Sequence, residues 1–475
     1  MTRKAVLWVL FERGAQQILL FSTLFIIARI IGPEQFGLFS LTQMIPTLCT
    51  MVLLGLSDGI IARAADDDES ISTVFWSILA TGAVFSLATL ASGPLISSIL
   101  GDDRLTDVVS AMSLVPVLSA LSTVPTVIVQ KKLDFKYFAL RSILSSLVGG
   151  AVGIGVAVSG GGAVSIALQL IAQQVVANIV IWPSSGWTPK FLFSRAKAWH
   201  MMSPGSKLTM SYVIETLDQQ LPRYFISLAF GAATAGQFAM ATRIWALMRE
   251  VFILPVSMVL FPSLARISRE RIDGFGNLIN GVLPSLYVTV VPAIAFLAYD
   301  AGFLFVKIFG PAWAGAGGIA QAYLIGCVAI PTLVVVRTSC RVRDLMLPYV
   351  ALQAVALVGS CAQFFIWNRF GVVDYVLAYS VWNIACALAI VAFFKSRTEI
   401  DAGRNGTVFV RILLVSASAI VVAHLANVTF GFDGRDWLPF IAINLVGLCV
   451  LAGGIVLLGM VQYLPGRSFL VPSRP

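Results

Sequence analysis

Runs of about 20 consecutive apolar residues, the length that crosses a bilayer as a helix, recur along the whole chain between short polar interruptions. They fall near 12–31, 38–61, 72–100, 108–130, 137–158, 163–182, 207–230, 236–262, 278–300, 317–336, 346–367, 372–394, 408–427 and 437–462, and predict about fourteen transmembrane helices. One stretch departs from the rest. Within 206–250, the first half has the length of a span yet carries Glu215, Asp218, Gln219, Gln220 and Arg223. Charges at such depth are costly and turn towards a polar interior rather than lipid. Helical spacing groups Glu215, Asp218, Gln219, Pro222 and Arg223 on one side. Val213, Ile214, Leu217, Leu221, Tyr224 and Leu228 take the other. Pro222 lacks an N–H in mid-span and predicts a bend.

Composition agrees with this pattern. Of 475 residues, 58% are hydrophobic and 12% charged, and mean hydropathy is +0.90. A soluble domain carries about 25% charged residues, so a soluble fold is excluded. The net charge of +9 does not point to nucleic acid, because the basic residues sort by side of the membrane. The N-terminus and every second loop hold Arg3, Lys4 and Arg13, then Arg63, then Lys131, Lys132, Lys136 and Arg141, and so on to Arg467 and Arg474. The opposite loops hold only Arg29, Arg104, Lys307, Arg369 and Arg435. This bias predicts that both termini are cytoplasmic. The apolar run 5–11 is followed by Glu12 and Arg13, so no signal peptide is expected. Six cysteines lie in or beside apolar spans, which argues against a disulfide framework, and His200 and His424 have no metal-ligand spacing. No metal or cofactor is expected. The acidic run Asp66, Asp67, Asp68 and Glu69 is read as a solvated loop, with a regulatory site as the other reading.

The chain repeats itself. IIGPEQFGLF places Gly32, Gly37 and Phe39, and AFGAATAGQF places Gly231, Gly236 and Phe238 at the same spacing, 199 positions later. Each copy sits in the turn between the first two helices of a six-helix unit. An even number of helices per unit makes the repeat parallel, about an axis along the membrane normal. The predicted architecture is therefore an all-α membrane protein with two six-helix lobes around a central cavity and two further C-terminal helices. Residues 1–183 form the N-lobe, 184–206 a cytoplasmic interfacial linker with Trp187, Trp199, Lys190, Arg195 and Lys197, 207–400 the C-lobe, and 401–475 an accessory pair with the tail.

At these residues the chain resembles bacterial polysaccharide repeat-unit flippases, the polysaccharide-transporter branch of the multidrug/oligosaccharidyl-lipid/polysaccharide exporter superfamily. ARIIGPEQFGLFSL (28–41), GLSDGIIAR (55–63) with TVFW (73–76), VIVQKKLDFK (127–136), WTPKFLF (187–193), AFGAATAGQFAMATRI (229–244), LFPSLARI (260–267) and IFGPAW (308–313) match its motifs in order. Phe238 departs from the family's usual Tyr, and the glycine-rich SGGGAVS at 159–165 is a second departure, which the sequence leaves unexplained. The resemblance implies a transporter of the bacterial inner membrane. It would move an undecaprenyl-pyrophosphate-linked oligosaccharide from the cytoplasmic to the periplasmic leaflet by alternating access, without covalent chemistry. It also implies the substrate and membrane lipid as partners, with the polymerase and co-polymerase of the same polymer as further candidates.

For such an anionic cargo, Arg223, Arg243, Arg249 and Arg13 are candidate contacts, since guanidinium forks bind phosphate bidentately. An ion-pair network with Glu215, Asp218 and Glu250 is the alternative. Glu215, Asp218 and Glu250 are candidates for ion coupling, against a hydrogen-bonding or salt-bridging role. Gln16 and Gln219 suit sugar hydroxyls, though amides also join helices. His424 is read as a packing residue. The competing function is a multidrug or cation-coupled small-molecule exporter of the same superfamily. A membrane enzyme would need catalytic groups in a sizeable outer loop, and every outer loop is short, so no catalytic residue is assigned.

Overall fold

The computed structural model describes the backbone of 3–62, 67–131, 135–202, 206–270, 274–430 and 437–463; side chains in 3–15, 57–62 and 199–202, among others, fall outside the description. Arg13, Asp58 and His200 are among these, and Arg63, Asp66 and Lys132 lie outside altogether. The described residues form helices joined by short turns. In chain order these are α1 (Arg3–Leu41), α2 (Met44–Ala62), α3 (Asp68–Leu100), α4 (Arg104–Met112), α5 (Leu114–Lys131), α6 (Phe135–Val158), α7 (Val164–Ser185), α8 (Arg195–Met202), α9 (Ser206–Phe230), α10 (Ala232–Met248), α11 (Leu254–Glu270), α12 (Phe275–Phe309), α13 (Ala314–Cys327), α14 (Ile330–Val342), α15 (Met346–Trp367), α16 (Val372–Thr398), α17 (Ala402–Phe430) and α18 (Trp437–Leu457).

Among the described residues, 12 helical stretches are long and apolar enough to cross a membrane, against the fourteen runs expected. One of the two missing runs is lost to charge and the other to the limit of the described residues. The expected run 207–230 does form one helix of 25 residues, α9, but Glu215, Asp218 and Arg223 lower its hydropathy. The run 38–61 divides between the end of α1 and α2, of which the apolar described part is only Met44–Leu54. These two helices pack against each other. The expected bend at Pro222 does not interrupt α9, which continues through it.

The chain divides into two compact units, 1–237 and 238–475. In the first, α6 packs on α7 and α1 along small residues. A Cβ on Gly150 would lie 2.3 Å from the Thr23 methyl, and one on Gly149 2.2 Å from Gln173 Cγ, so only glycine allows these helices so close. The turn between α6 and α7 is the unexplained SGGGAVS. Gly160 and Gly162 have φ of 87° and 50°, a region open to glycine, and the Ala163 N–H donates to Gln35 Oε1 at 3.1 Å. The glycines thus make a tight turn that a side chain from the first repeat motif caps.

The acidic run is not a free loop. Asp67 caps α3 by accepting from the Ser70 N–H, and Lys197 lies 2.7 Å from both Asp67 and Glu69. Lys190 pairs with Asp68 at 2.5 Å. The Lys190 N–H donates to Ser72 Oγ, the Ser194 N–H to Thr73 Oγ1, and the Trp76 indole N–H to the Lys190 carbonyl. Trp76 stacks on Phe191 at 5.2 Å, and Trp182 on Trp187 at 6.3 Å. The linker that the sequence sets at the membrane interface is therefore strapped to the start of α3. Lys197 beside Asp67 holds that carboxyl well below the usual carboxylate range, and Lys197 is itself raised by the same bond.

In the second unit α12 is the axis, with α13 and α17 against it and α16 behind α13. The accessory pair is fixed to α12 by rings. Tyr287 meets Phe409 of α17 edge-on at 5.2 Å, and Phe303 stacks on Phe440 of α18 at 4.4 Å. The junction between α16 and α17 is stapled to the start of α12. Glu399 accepts from the Gly276 N–H at 2.9 Å and pairs with Arg343, while Asn280 accepts from the Asp401 N–H and the Asn405 amide.

Candidate functional site

The polar residues of α9 differ in burial. Arg223 is 9% exposed and donates to Gln220 Oε1 at 2.8 Å, and Gln220, Thr216 and Ser211 are buried with it. Glu215, Asp218 and Gln219 are only half-buried, and Gln219 reaches Glu215 at 3.5 Å. Arg223 shares an i, i+4 row with Glu215 and Gln219 and also reaches back three residues to Gln220. Arg223 stands seven residues before the end of α9, roughly 10 Å by helical rise, and five residues, roughly 7.5 Å, past its centre. Its neighbour Tyr224 donates to the Leu41 carbonyl at the end of α1. Gln16 is half-buried on α1, and the Arg13 side chain lies outside the described residues.

The other candidates belong to the second unit. Arg243 is half-buried on α10. Arg249 and Glu250 lie in a π-helical turn, Arg249–Ile253, between α10 and α11, with 3.9 Å between their charged groups and side-chain exposures of 43% and 33%. A π-turn in mid-helix is a frequent mark of a functional position. His424 Nδ1 lies 3.4 Å from Tyr299 Oη, joining α17 to α12. Among the described residues no cluster of His, Cys, Asp or Glu could hold a metal ion.

A polar stripe on α7 escaped the sequence reading. Gln174 donates to Ser119 Oγ at 2.9 Å, Asn178 to the Leu118 carbonyl at 2.9 Å, and Gln169 is 5% exposed. The signal was present as amides at 169, 173, 174 and 178 in an otherwise apolar run, spaced four and five residues apart. Interhelical amide bonds of this kind hold membrane helices together where no water competes.

The departure at Phe238 also has a local explanation. Its ring is 1% exposed and meets Tyr323 edge-on at 5.7 Å, a contact that uses no hydroxyl on residue 238.

The fold is that of helical membrane transporters. It is similar to the structure of the lipid II flippase MurJ in an inward closed conformation, with a TM-score of 0.75 and 15% identity, covering 96% of this chain and 99% of that one. An inward-facing multidrug resistance MATE family transporter of the MOP superfamily gives 0.64 at 16% identity, covering 81% and 94%. The chain belongs to the polysaccharide biosynthesis protein family, whose model matches residues 26–317. It is 23% identical over 436 residues to the succinoglycan biosynthesis transport protein ExoT of Rhizobium meliloti (strain 1021), covering 90% of this chain and 85% of the relative. It is 24% identical over 249 residues to the lipopolysaccharide biosynthesis protein WzxC of Escherichia coli (strain K12), covering 52% and 50%. The family's named relatives are transporters rather than enzymes.

Proposed function

We propose that this protein is a flippase. It moves undecaprenyl-pyrophosphate-linked oligosaccharide repeat units of an exopolysaccharide or O-antigen-type polymer from the cytoplasmic to the periplasmic leaflet by alternating access. The observation that carries this reading is the match to a succinoglycan transport protein along 90% of the chain. The greater likeness in fold to a lipid-linked precursor flippase than to a drug exporter supports it over the multidrug reading. The membrane is the bacterial inner membrane, with both termini cytoplasmic, as the loop charges indicate. The organisation is an N-lobe at 1–183, the interfacial linker at 184–206, a C-lobe at 207–400 and the accessory helices at 401–475. A polymerase and co-polymerase of the same polymer act with it.

Arg223 is the leading contact for the pyrophosphate or an acidic sugar, with Arg243, Arg249, Arg13, Gln16 and Gln219 as further contacts. Glu215, Asp218 and Glu250 set the charge balance and couple an ion. Deletion of the protein should accumulate the lipid-linked repeat unit in the inner leaflet and abolish polymer at the surface. Normal surface polymer in the deletion strain would refute the reading. Arg223→Ala should stop export at normal protein level, and Arg223→Lys should restore part of it, because a point charge does not reproduce the bidentate fork. Combining Arg223→Gln with Asp218→Asn separates transport from folding: stable protein with no export assigns the charges to transport, and restored export assigns them to structure.

A further inference from the structure

The two copies of the repeated turn touch. Gly32 and Gly231 occupy equivalent positions, with φ of 74° and 86°. Gly32 breaks α1 into two helical segments, and each glycine leads into a helix whose first residue, Pro33 or Ala232, is again an equivalent position. A Cβ built on Gly37 would fall 1.9 Å from the Ala232 carbonyl oxygen and 3.0 Å from the Gly236 nitrogen. One built on Gly236 would fall 1.9 Å from the Pro33 carbonyl oxygen and 2.8 Å from the Gly37 nitrogen. The contact is reciprocal: each glycine meets the first residue of the other copy, as a two-fold relation demands. The obstacle is backbone on both sides, so no side-chain rotation can relieve a substitution.

The surroundings are less tightly closed. A cavity of about 300 Å³ lies beside the contact, lined by Glu34, Leu38 and Leu41 from one copy and Phe230, Gly231 and Ala233 from the other. Arg104 stands at this cavity, 2.7 Å from Glu34 and 2.7 Å from Asp102, with both Arg104 and Glu34 more than half exposed. Such exposed pairs contribute little and are screened by salt. At the paired glycines the two turns meet backbone against backbone with no side chain between them, and nearby the Tyr224 hydroxyl donates to the Leu41 carbonyl.

We propose that Gly37 and Gly236 form the outer gate of the translocation path, closed in this structure and parted when the path opens to the periplasm. The proposal rests on the transport reading and on the topology above, which put both turns at the outer surface. A methyl group at either glycine wedges the gate apart.

The test uses a single reporter, Ser227→Cys, at the cavity wall. It is labelled in intact cells by a membrane-impermeant maleimide admitted through the outer membrane, and labelling is counted above that of the chain without the reporter. Gly37→Ala and Gly236→Ala should each raise labelling severalfold, and both should lose polymer export. Because either variant could fail to fold, a second arm leaves the glycines intact. Glu34→Cys with Ala233→Cys, joined by a reducible bifunctional thiol reagent, should arrest export, and reductant should restore it. Unchanged labelling in well-expressed alanine variants would overturn the gate, as would normal export by the cross-linked protein. Labelling requires no cargo, so a wrong substrate assignment would leave it unaffected while altering only the export assay.

Discussion

The first unit holds together differently at its two ends. At the end with the repeated turn, Gly37 and Gly236 bring backbones into contact and no charge is needed. At the end with the linker, residues 187–197 lie on α3 through exposed ion pairs, three hydrogen bonds and stacked rings. The first contact is steric, indifferent to salt and intolerant of a single methyl group. The second is distributed, tolerant of single losses and sensitive to its medium. A contact that must open cleanly gains from having few parts, whereas a strap that stays in place gains from having many. The linker thus moves with α3 rather than acting as a loose tether.

This contrast can be broken by experiment. The largest effect is expected at the steric end: Gly37→Val, bulkier than a methyl and β-branched, should abolish export at normal expression, and activity near that of the parent would dissolve the distinction. Next is the turn at 159–165. Gly162→Val must adopt a positive φ and meet the Gln35 amide 2.6 Å from its Cβ, at a cost of about 1–3 kcal/mol, read as a lower thermal midpoint in detergent. Trp76→Ala should cost on the order of 2 kcal/mol of strap docking, since it removes a ring stack, an edge contact with Phe75 and the bond to the Lys190 carbonyl. Faster proteolysis within 187–197 would report it, and an unchanged cleavage rate would count against a docked linker.

The smallest effect is expected at the ion pairs. Lys197→Ala should change cleavage of the linker only slightly, and about 1 M salt should mimic it. Its pH dependence follows from two opposed shifts. The Asp67 carboxyl is depressed in the folded state, so its contribution is present above the ordinary carboxylate pKa of about 4 and is lost as pH falls through the folded value. Lys197 is raised, so its contribution is present below about 10.4 and is lost as pH climbs through the folded value. Linker protection should be flat between about pH 5 and 9 and fall outside that range. A transition near pH 6 to 7 would show that other groups hold the strap.

Spans, repeat and family were legible in the sequence because each is written in local composition. A bilayer demands a fixed length of apolar residues, and Gly32 and Gly231 mark turns by a backbone conformation few other residues accept. The motif matches needed no geometry at all. The candidate site was legible as a set of residue types but not as an arrangement. Spacing on α9 grouped Arg223 with Glu215, Asp218 and Gln219, and only the structure shows that it is buried and donates to Gln220. Likewise, the acidic run stays solvent-exposed, as its composition suggests, but its pairing with Lys190 and Lys197, more than a hundred residues away, could not be read from it.

Sequence alone determined that this chain is a helical membrane protein with a duplicated opening turn, because hydropathy and backbone restriction act within a few residues. Only the tertiary structure decided that the two glycine turns meet each other, that the linker is bound to α3, and that α17 and α18 hang on α12. Those outcomes depend on which surfaces the bundle brings within van der Waals or hydrogen-bond range, and contacts between residues so distant in the chain leave no periodic trace along it.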